Sequence, residues 1–471
     1  MGALYNQGEV KVRAGVYRRY GTNDAGVVAG ADDGVVAVVL GSDWGPLGTA
    51  TKITTVSSLK DIYGVSEKVK KTAERCLAVG ANELLVIRAG SAGTKGTYEV
   101  KNGEGTAAVT LSTKYESNRA FAITIQEKLG DAGQKEFIVY EGTKVIEKIN
   151  FLAGADEITA FVEAINKSSI VFDAVAAEGA TGTLAADIDQ TAITVGTNPT
   201  IDTEAYSAAL TVLEAYRFNV LCVDTNDTAV HAVVHAFVTR LKANGGLFNA
   251  VVGEPTTVAF ADRCSHAAAF NDECMVYVGG SGVDNDGNDV EGFEAAAIVA
   301  GAIASTPSDQ SIVHKVLSML NSVKEKLTDS QHIQAIKSGC VMFSESVDGT
   351  VWIESGVNTL VNPGADQDAG WQKIKRVKVR QELFDRIDRT LAPIIGRVRC
   401  DADGIANVIK LGMDVLEAMY RENKIEADYT FVEDPERPHE GDSAWFLISC
   451  NDLDALEKIY LSYTFSYSSN A

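Results

Sequence analysis

The chain has 471 residues, 46% of them hydrophobic and 23% charged, enough for two to four domains and a sizeable buried core. A formal net charge of −22 argues against a general nucleic-acid binder and favours solubility at high concentration. The longest apolar run, near residues 295–304, falls far short of the roughly 20 residues that a membrane helix needs. With Arg13, Arg18 and Arg19 in a polar first twenty residues, no secretion signal is read, and folding in the cytoplasm is expected.

The N-terminal residues alternate: Val10, Val12, Ala14 and Val16 on one side, Glu9, Lys11 and Arg13 on the other. A two-residue period predicts a short strand ahead of any domain. A Gly/Asp-rich linker follows at 23–34. From Gly34 the pattern becomes α/β. GVVAVVLGS predicts a buried strand, Ser57 or Ser58 can cap a helix ending at Gly64, 68–79 predicts a second helix, and 84–88 a second strand. Continuous Val/Leu/Ile runs separated by helices suit a sheet covered on both faces.

Residues 91–197 break this rhythm, being rich in Gly, Thr and Ala. Strands are predicted at 107–111, 121–126, 137–140 and 145–149, with one helix near 155–165. The composition shift at both ends marks an inserted domain. At Glu204 the α/β rhythm resumes: a helix to Tyr216, strand FNVLCVD, helix 228–243, strands FNAVVGE and CMVYVGG, then the small-residue helix EAAAIVAGAIAS. Helices are predicted at 311–324 and, between Thr328 as cap and Gly339 as stop, at 328–339. Asp348-Gly349 predicts a hairpin turn between strands at 340–345 and 350–354.

The last third sets a basic segment beside an acidic one. Residues 371–399 hold nine Lys/Arg against Glu382, Asp385 and Asp388. Part of this suits a solvated helix face with pairs such as Glu382–Arg386. Lys373, Lys375, Arg376, Lys378 and Arg380, five cations in eight residues, need acids from elsewhere. After a helix at 406–421 comes an acidic loop; residues 426–457 hold ten acids and one base, Arg437. The five cations are therefore expected at a charged interface, within or between subunits. The chain ends on KIYLSYTFSY, with Ile459, Leu461, Tyr463, Phe465 and Tyr467 on one face. Such a strand must pair or remain a bare edge.

Reactive constellations are lacking. His231 and His235 share a helix face, but Ala232 stands where a zincin has its Glu. Asp284, Asp286, Asn288 and Glu291 lack the Gly and Glu of a calcium loop, reading instead as a polar turn. Lys95 lies in a Gly-rich stretch without P-loop spacing. Seven scattered cysteines include no C-x-x-C pair and read mostly as core residues. No catalytic residue, cofactor or metal is expected.

GVVAVVLGSDWGP, FEAAAIVAGAIAST, LTDSQHIQAIKSGCVMFSESVDGTVWIESGVNTL and ALEKIYLSYTFSY together resemble tail-sheath proteins of contractile-tailed bacteriophages, closest to the branch in prophages and phage-tail-like bacteriocins of Gram-positive bacteria. The resemblance implies a non-enzymatic α/β (α+β multidomain) subunit. It would form a helical homo-polymer of hexameric rings around a tail tube protein, with baseplate and tail terminator proteins as further partners. It implies no nucleic acid and no membrane insertion, and a place in a virion tail or tail-like particle assembled in the host cytoplasm. The implied domains are an arm at 1–22, an α/β middle domain at 23–92 and 198–354, an outer insert at 93–197, an assembly domain at 355–457 and an arm at 458–471. Both arms would pair with a neighbour's C-terminal domain, through Val10, Val12 and Val16 at one end and the 459–467 alternation at the other. A self-assembling surface-layer protein and a cytoplasmic α/β enzyme are the alternatives; the first lacks an export signal and the second a reaction centre.

Overall fold

The computed structural model of the protein describes residues 34–184, 188–365 and 367–465, together with the pairs 3–4 and 17–18. Ala3–Leu4 pairs in parallel with Tyr17–Arg18. The expected strand through Val10, Val12 and Val16 lies outside the described residues, as does Tyr467. The chain divides into two compact units, one of Val35–Phe237 with Ala296–Gly301, the other of Met1–Gly34, Val238–Ala295 and Ala302–Ala471.

In the first unit, strand Val35–Leu40 lies between Val220–Val223 and Glu83–Arg88, all parallel, with Thr51–Ile53 antiparallel at the edge. The central strand is buried on both faces, which is why it reads as an unbroken apolar run. Helix Val56–Tyr63 is capped by Thr55 rather than by Ser57 or Ser58, the Thr55 side chain accepting from the Ser58 amide at 3.2 Å. The second helix runs from Glu67 to Ala78 through a π-helical stretch, Lys70–Glu74.

Residues 97–192 build most of a second hydrophobic core. A four-stranded sheet (Lys144–Leu152, Asp131–Glu141, Phe121–Lys128, Ile188–Ala192) and a three-stranded one (Phe172–Ala176, Ala107–Thr113, Thr97–Lys101) accompany helix Glu157–Ser168. Phe121, Phe137, Phe151, Phe161 and Phe172 meet edge to face within it, at centroid distances of 5.0–6.0 Å. Trp44, from the loop after the central strand, is buried in the same cluster, 5.6 Å from Phe121. Arg88, fully buried, donates to the carbonyls of Ser42 (2.8 Å), Gly45 (3.0 Å) and Glu116 (2.9 Å), so one guanidinium fastens the sheet end to the insert.

In the second unit, Asn249–Gly253, Met275–Val278 and Cys340–Val341 run parallel. Helix Asp329–Lys337 begins at the expected Thr328, in a capping box with Gln331, and Gly339 follows with φ 70°. A Cβ on Gly339 would lie 2.5 Å from the Asn358 carbonyl, so only glycine fits. The Asp348-Gly349 turn joins Phe343–Glu345 to Val351–Ile353.

The helix expected at 311–324 does not form. Leu320–Val323 is a strand against Gly282–Asp284, and before it His314 takes φ 56°. The His314 and Leu317 amides donate to the carbonyls of Ile353 (2.8 Å) and Val351 (2.9 Å). Tertiary pairing to a hairpin outweighed a helical apolar spacing that the β-branched Ile312, Val313 and Val316 already weakened.

At the C-terminal end, helices Ile374–Leu391 and Ala402–Arg421 pack with the hairpin Thr430–Glu433/Phe446–Ser449 around Val379, Leu416, Met419 and Phe431. A Cβ on Gly412 would come within 2.3 Å of the Phe431 ring, so the hairpin sits directly on the second helix. The stretch 426–457, expected to be an acidic loop, thus contains a hairpin whose acids crowd its connecting loop. Six of the seven cysteines are buried and Cys400 is exposed, all as free thiols.

Because Trp44 completes the insert's core, excising 93–197 alone should give an aggregating product. The same excision with Trp44→Ser should stay soluble and folded, as sedimentation and circular dichroism would record. A soluble product that keeps Trp44 would contradict the shared core.

Candidate assembly surface

Beyond Glu457 the chain leaves the fold. Residues 458–465 are extended, without a strand partner among the described residues, and Ile459, Tyr460, Leu461, Tyr463 and Phe465 are each 68–89% exposed. The Tyr463 and Phe465 rings stack at 6.3 Å, on one side of the chain as a two-residue period requires. An apolar run this exposed marks a candidate interaction site.

The hairpin Thr430–Glu433/Phe446–Ser449 is a two-stranded sheet with both outer edges unpaired among the described residues. Phe431 points into the core, whereas Val432, Leu447 and Ile448 are exposed. It can therefore accept a strand on either edge while offering apolar side chains to pack against it. Sequence reasoning missed this feature because charge masked it; the alternation around Phe431 and the run WFLI were the available signal.

The five cations are brought together, but not as an exposed ridge. Lys375 and Lys378 are buried, and Lys373, Arg376 and Arg380 half-buried, on the first turns of helix Ile374–Leu391. Lys373 pairs with Asp454 and, at 3.0 Å, with Glu457. Arg376 pairs with Asp452 at 3.1 Å and reaches Asp368 at 3.6 Å. Lys375 donates to the Leu453 carbonyl. The acids from 426–457 thus come from the same chain, which corrects any expectation that a neighbouring subunit has to supply them.

The other two cations have structural uses. Lys378 donates to the carbonyls of Ile303 (2.7 Å) and Thr306, at the C-terminal end of helix Phe293–Ser305, where the helix dipole favours a cation. Lys315 donates to the Ala302 carbonyl at 3.1 Å beside it. Arg380 lies 3.5 Å over the Trp371 ring. Burial pulls the Arg380 guanidinium down to about 10, leaving it charged at neutral pH.

The remaining candidates are quiet. His231 is buried with its Nε2 3.0 Å from the Thr225 carbonyl, and His235 is half-buried. Asp284 accepts from the amides of Asp286 (3.0 Å) and Asn288 (2.9 Å), as a polar turn does. The one tight cluster of ligand-type groups among the described residues is Asp272, Glu273 and Cys274. The Lys242 ammonium fills it, 3.0 Å from Asp272 and 2.9 Å from Glu273.

Burial alone would lower the Lys373 pKa and raise that of Asp454. Burial is the largest single effect on each, but the hydrogen bonds and charges of Asp454 and Glu457 around Lys373, and of Lys373, the Ala455 amide and Arg376 around Asp454, together outweigh it, so Lys373 lies above and Asp454 below its ordinary value. Asp454 therefore stabilises the pairing above its unfolded pKa, and this is lost as pH falls through its lower native value. Lys373 stabilises it below its own unfolded pKa, and this is lost as pH rises through its higher native value. Hydrogen-exchange protection of 452–457 is expected to stay level between about pH 5 and 9 and to drop only toward about pH 3. A loss centred near pH 6.5, the histidine range, would contradict carboxylate–ammonium pairing.

Residues 200–359 match the family described as phage tail sheath protein central domain. Along the whole chain the sequence is 24% identical to the uncharacterized protein YqbK of Bacillus subtilis, covering 98% of this chain and 99% of that one. Its fold is similar to the sheath tail protein of Desulfitobacterium hafniense, with a TM-score of 0.67 at 20% identity, over 93% of this chain and 100% of that one. It is also similar to the helical sheath of the anti-feeding prophage in its contracted state, with a TM-score of 0.54 at 10% identity, over 97% and 99% of the two chains. Residues 200–359 thus match a phage tail sheath central domain, in a chain whose fold is similar to that of a sheath tail protein over nearly its full length.

Proposed function

We propose that this chain is the structural subunit of a contractile tail sheath, stacking as hexameric rings around a tail tube and shortening to drive the tube through a target envelope. The observation that carries this reading is an exposed, alternating apolar segment, 459–465, without a strand partner among the described residues, together with a hairpin whose two outer edges are unpaired among them. A strand cannot remain bare at high concentration without pairing somewhere, and a second copy offers a matching edge. Each large apolar side chain fully buried on docking stabilises the joint by about 1.5–3 kcal/mol.

The mechanical requirements agree. Subunits that slide past one another need links that survive the slide, and main-chain pairing of a tethered strand supplies them. The work of contraction is stored at assembly in less favourable interfaces, so no nucleotide is needed and the subunit acts without catalysis. The hold on the tube protein is polar and weak, since a dry apolar contact would resist release. Both arms, including the one around Val10, Val12 and Val16, engage a neighbour's C-terminal hairpin. The insert lies on the outer surface, and baseplate and terminator proteins close the two ends of the polymer. The particle is a virion tail or a tail-like relative of one, assembled in the host cytoplasm.

Deleting 459–471 should leave a folded, soluble monomer that forms no tubes, whereas the full chain at high concentration forms helical tubes in negative-stain micrographs. Normal tubes from the truncated chain would rule the arm out, and flat lattices from the full chain would favour a surface-layer protein.

A further inference from the structure

We infer that Lys373 and Arg376 are positioning residues for strand exchange, forming with Asp452, Asp454 and Glu457 a charged clamp that fixes where the C-terminal arm leaves the subunit. The inference rests on the sheath reading and adds to it the groups that aim the arm.

The clamp is built from both sides of the tail. Before it, the chain is held by main-chain bonds: Glu426 donates to the Asn451 carbonyl at 2.9 Å and Leu453 to the Lys424 carbonyl at 3.1 Å. After Leu453 the backbone ladder stops, and side chains take over. Arg376 holds Asp452, Lys375 holds the Leu453 carbonyl, and Lys373 holds Asp454 and Glu457. Ser311, on the opposite side, donates to Glu457 at 2.9 Å. The last anchored residue is Glu457, and its neighbours Leu456 and Lys458 are already exposed.

The basic side is braced. Arg376 lies against Gly370 so closely that a Cβ there would fall 2.1 Å from its Nη1, and Asp368 pairs with the same guanidinium. Lys373 is the N-cap residue of helix Ile374–Leu391, so its backbone is set by the fold and not by the tail. Cations set by the helix thus meet acids on a segment whose further holds are the Leu453 bond to Lys424 and the Ser311 bond to Glu457.

This arrangement accounts for three of the five cations collected in eight residues, Lys373, Lys375 and Arg376. A strand donor gains from a defined exit, because a preorganised arm loses less freedom when it docks. A charged hold also differs in kind from an apolar one: it fixes direction while remaining sensitive to salt. Residues 458–465 then swing about one point when neighbours slide, and the root stays with its own subunit.

The test uses the full chain with Lys373→Gln and Arg376→Gln together, and in parallel with Asp454→Asn and Glu457→Gln, which touch only the tail. Trypsin cleavage after Lys458 in the monomer is followed by mass spectrometry, alongside the thermal midpoint and tube formation. Either pair should speed this cleavage about tenfold, as loss of two or three weak ion pairs implies. Raising salt to about 1 M, where the Debye length falls to about 3 Å, should do the same to the wild type. The tail pair should leave the thermal midpoint unchanged while tubes require about tenfold more protein. Reversing both partners, Lys373→Glu with Glu457→Lys, should restore slow cleavage and assembly relative to Lys373→Glu alone. Unchanged cleavage in the tail pair overturns the clamp. Faster cleavage with wild-type assembly overturns its positioning role. Failure of the wild type itself to form tubes overturns the sheath reading, and the cleavage readout still decides on the clamp.

Discussion

An exposed apolar segment without a strand partner among the described residues is the constraint on which the rest depends. Residues 459–465 alternate as cleanly as any strand in the fold, yet they project from it with their large side chains in water. Among the described residues they meet no strand, and in the proposed sheath the cost of that exposure favours pairing with a second copy. Glu457, the residue before this segment's first exposed neighbour, is held by Lys373, at the N-cap of helix Ile374–Leu391, and by Ser311.

Charge works at two ranges. Over the whole molecule, a net charge of −22 opposes the close approach of two copies at low salt. Locally, the basic helix answers the acids of the tail within one chain. The two effects need not conflict, because salt shortens the long-range repulsion as well as the clamp. The buried cations Lys378 and Arg88 donate to carbonyl oxygens, of Ile303 and Thr306 in the first case and of Ser42, Gly45 and Glu116 in the second.

Much of the fold was legible because its strands are either fully buried or cleanly alternating. The run at 35–40, the capping box at Thr328 and the turn at Asp348-Gly349 each carry a local signal strong enough to stand alone. Residues 311–324 do not: their apolar spacing suits a helix, and only the distant hairpin at 343–353 makes them extended. The hairpin at 430–449 was hidden by the acids around it. Likewise the cation cluster was evident, but whether its partners lay in the same chain could not be read from spacing, because Asp454 is 81 residues from Lys373. Sequence shows that charges need partners; only the fold shows whose.

Hydrogen–deuterium exchange on matched samples of monomer and assembled tubes tests the central claim most directly. Amides of 459–465 should exchange freely in the monomer and become protected in tubes, together with the outer-edge amides of Thr430–Glu433 or Phe446–Ser449. Tubes in which 459–465 exchange as fast as in the monomer would contradict assembly by strand donation.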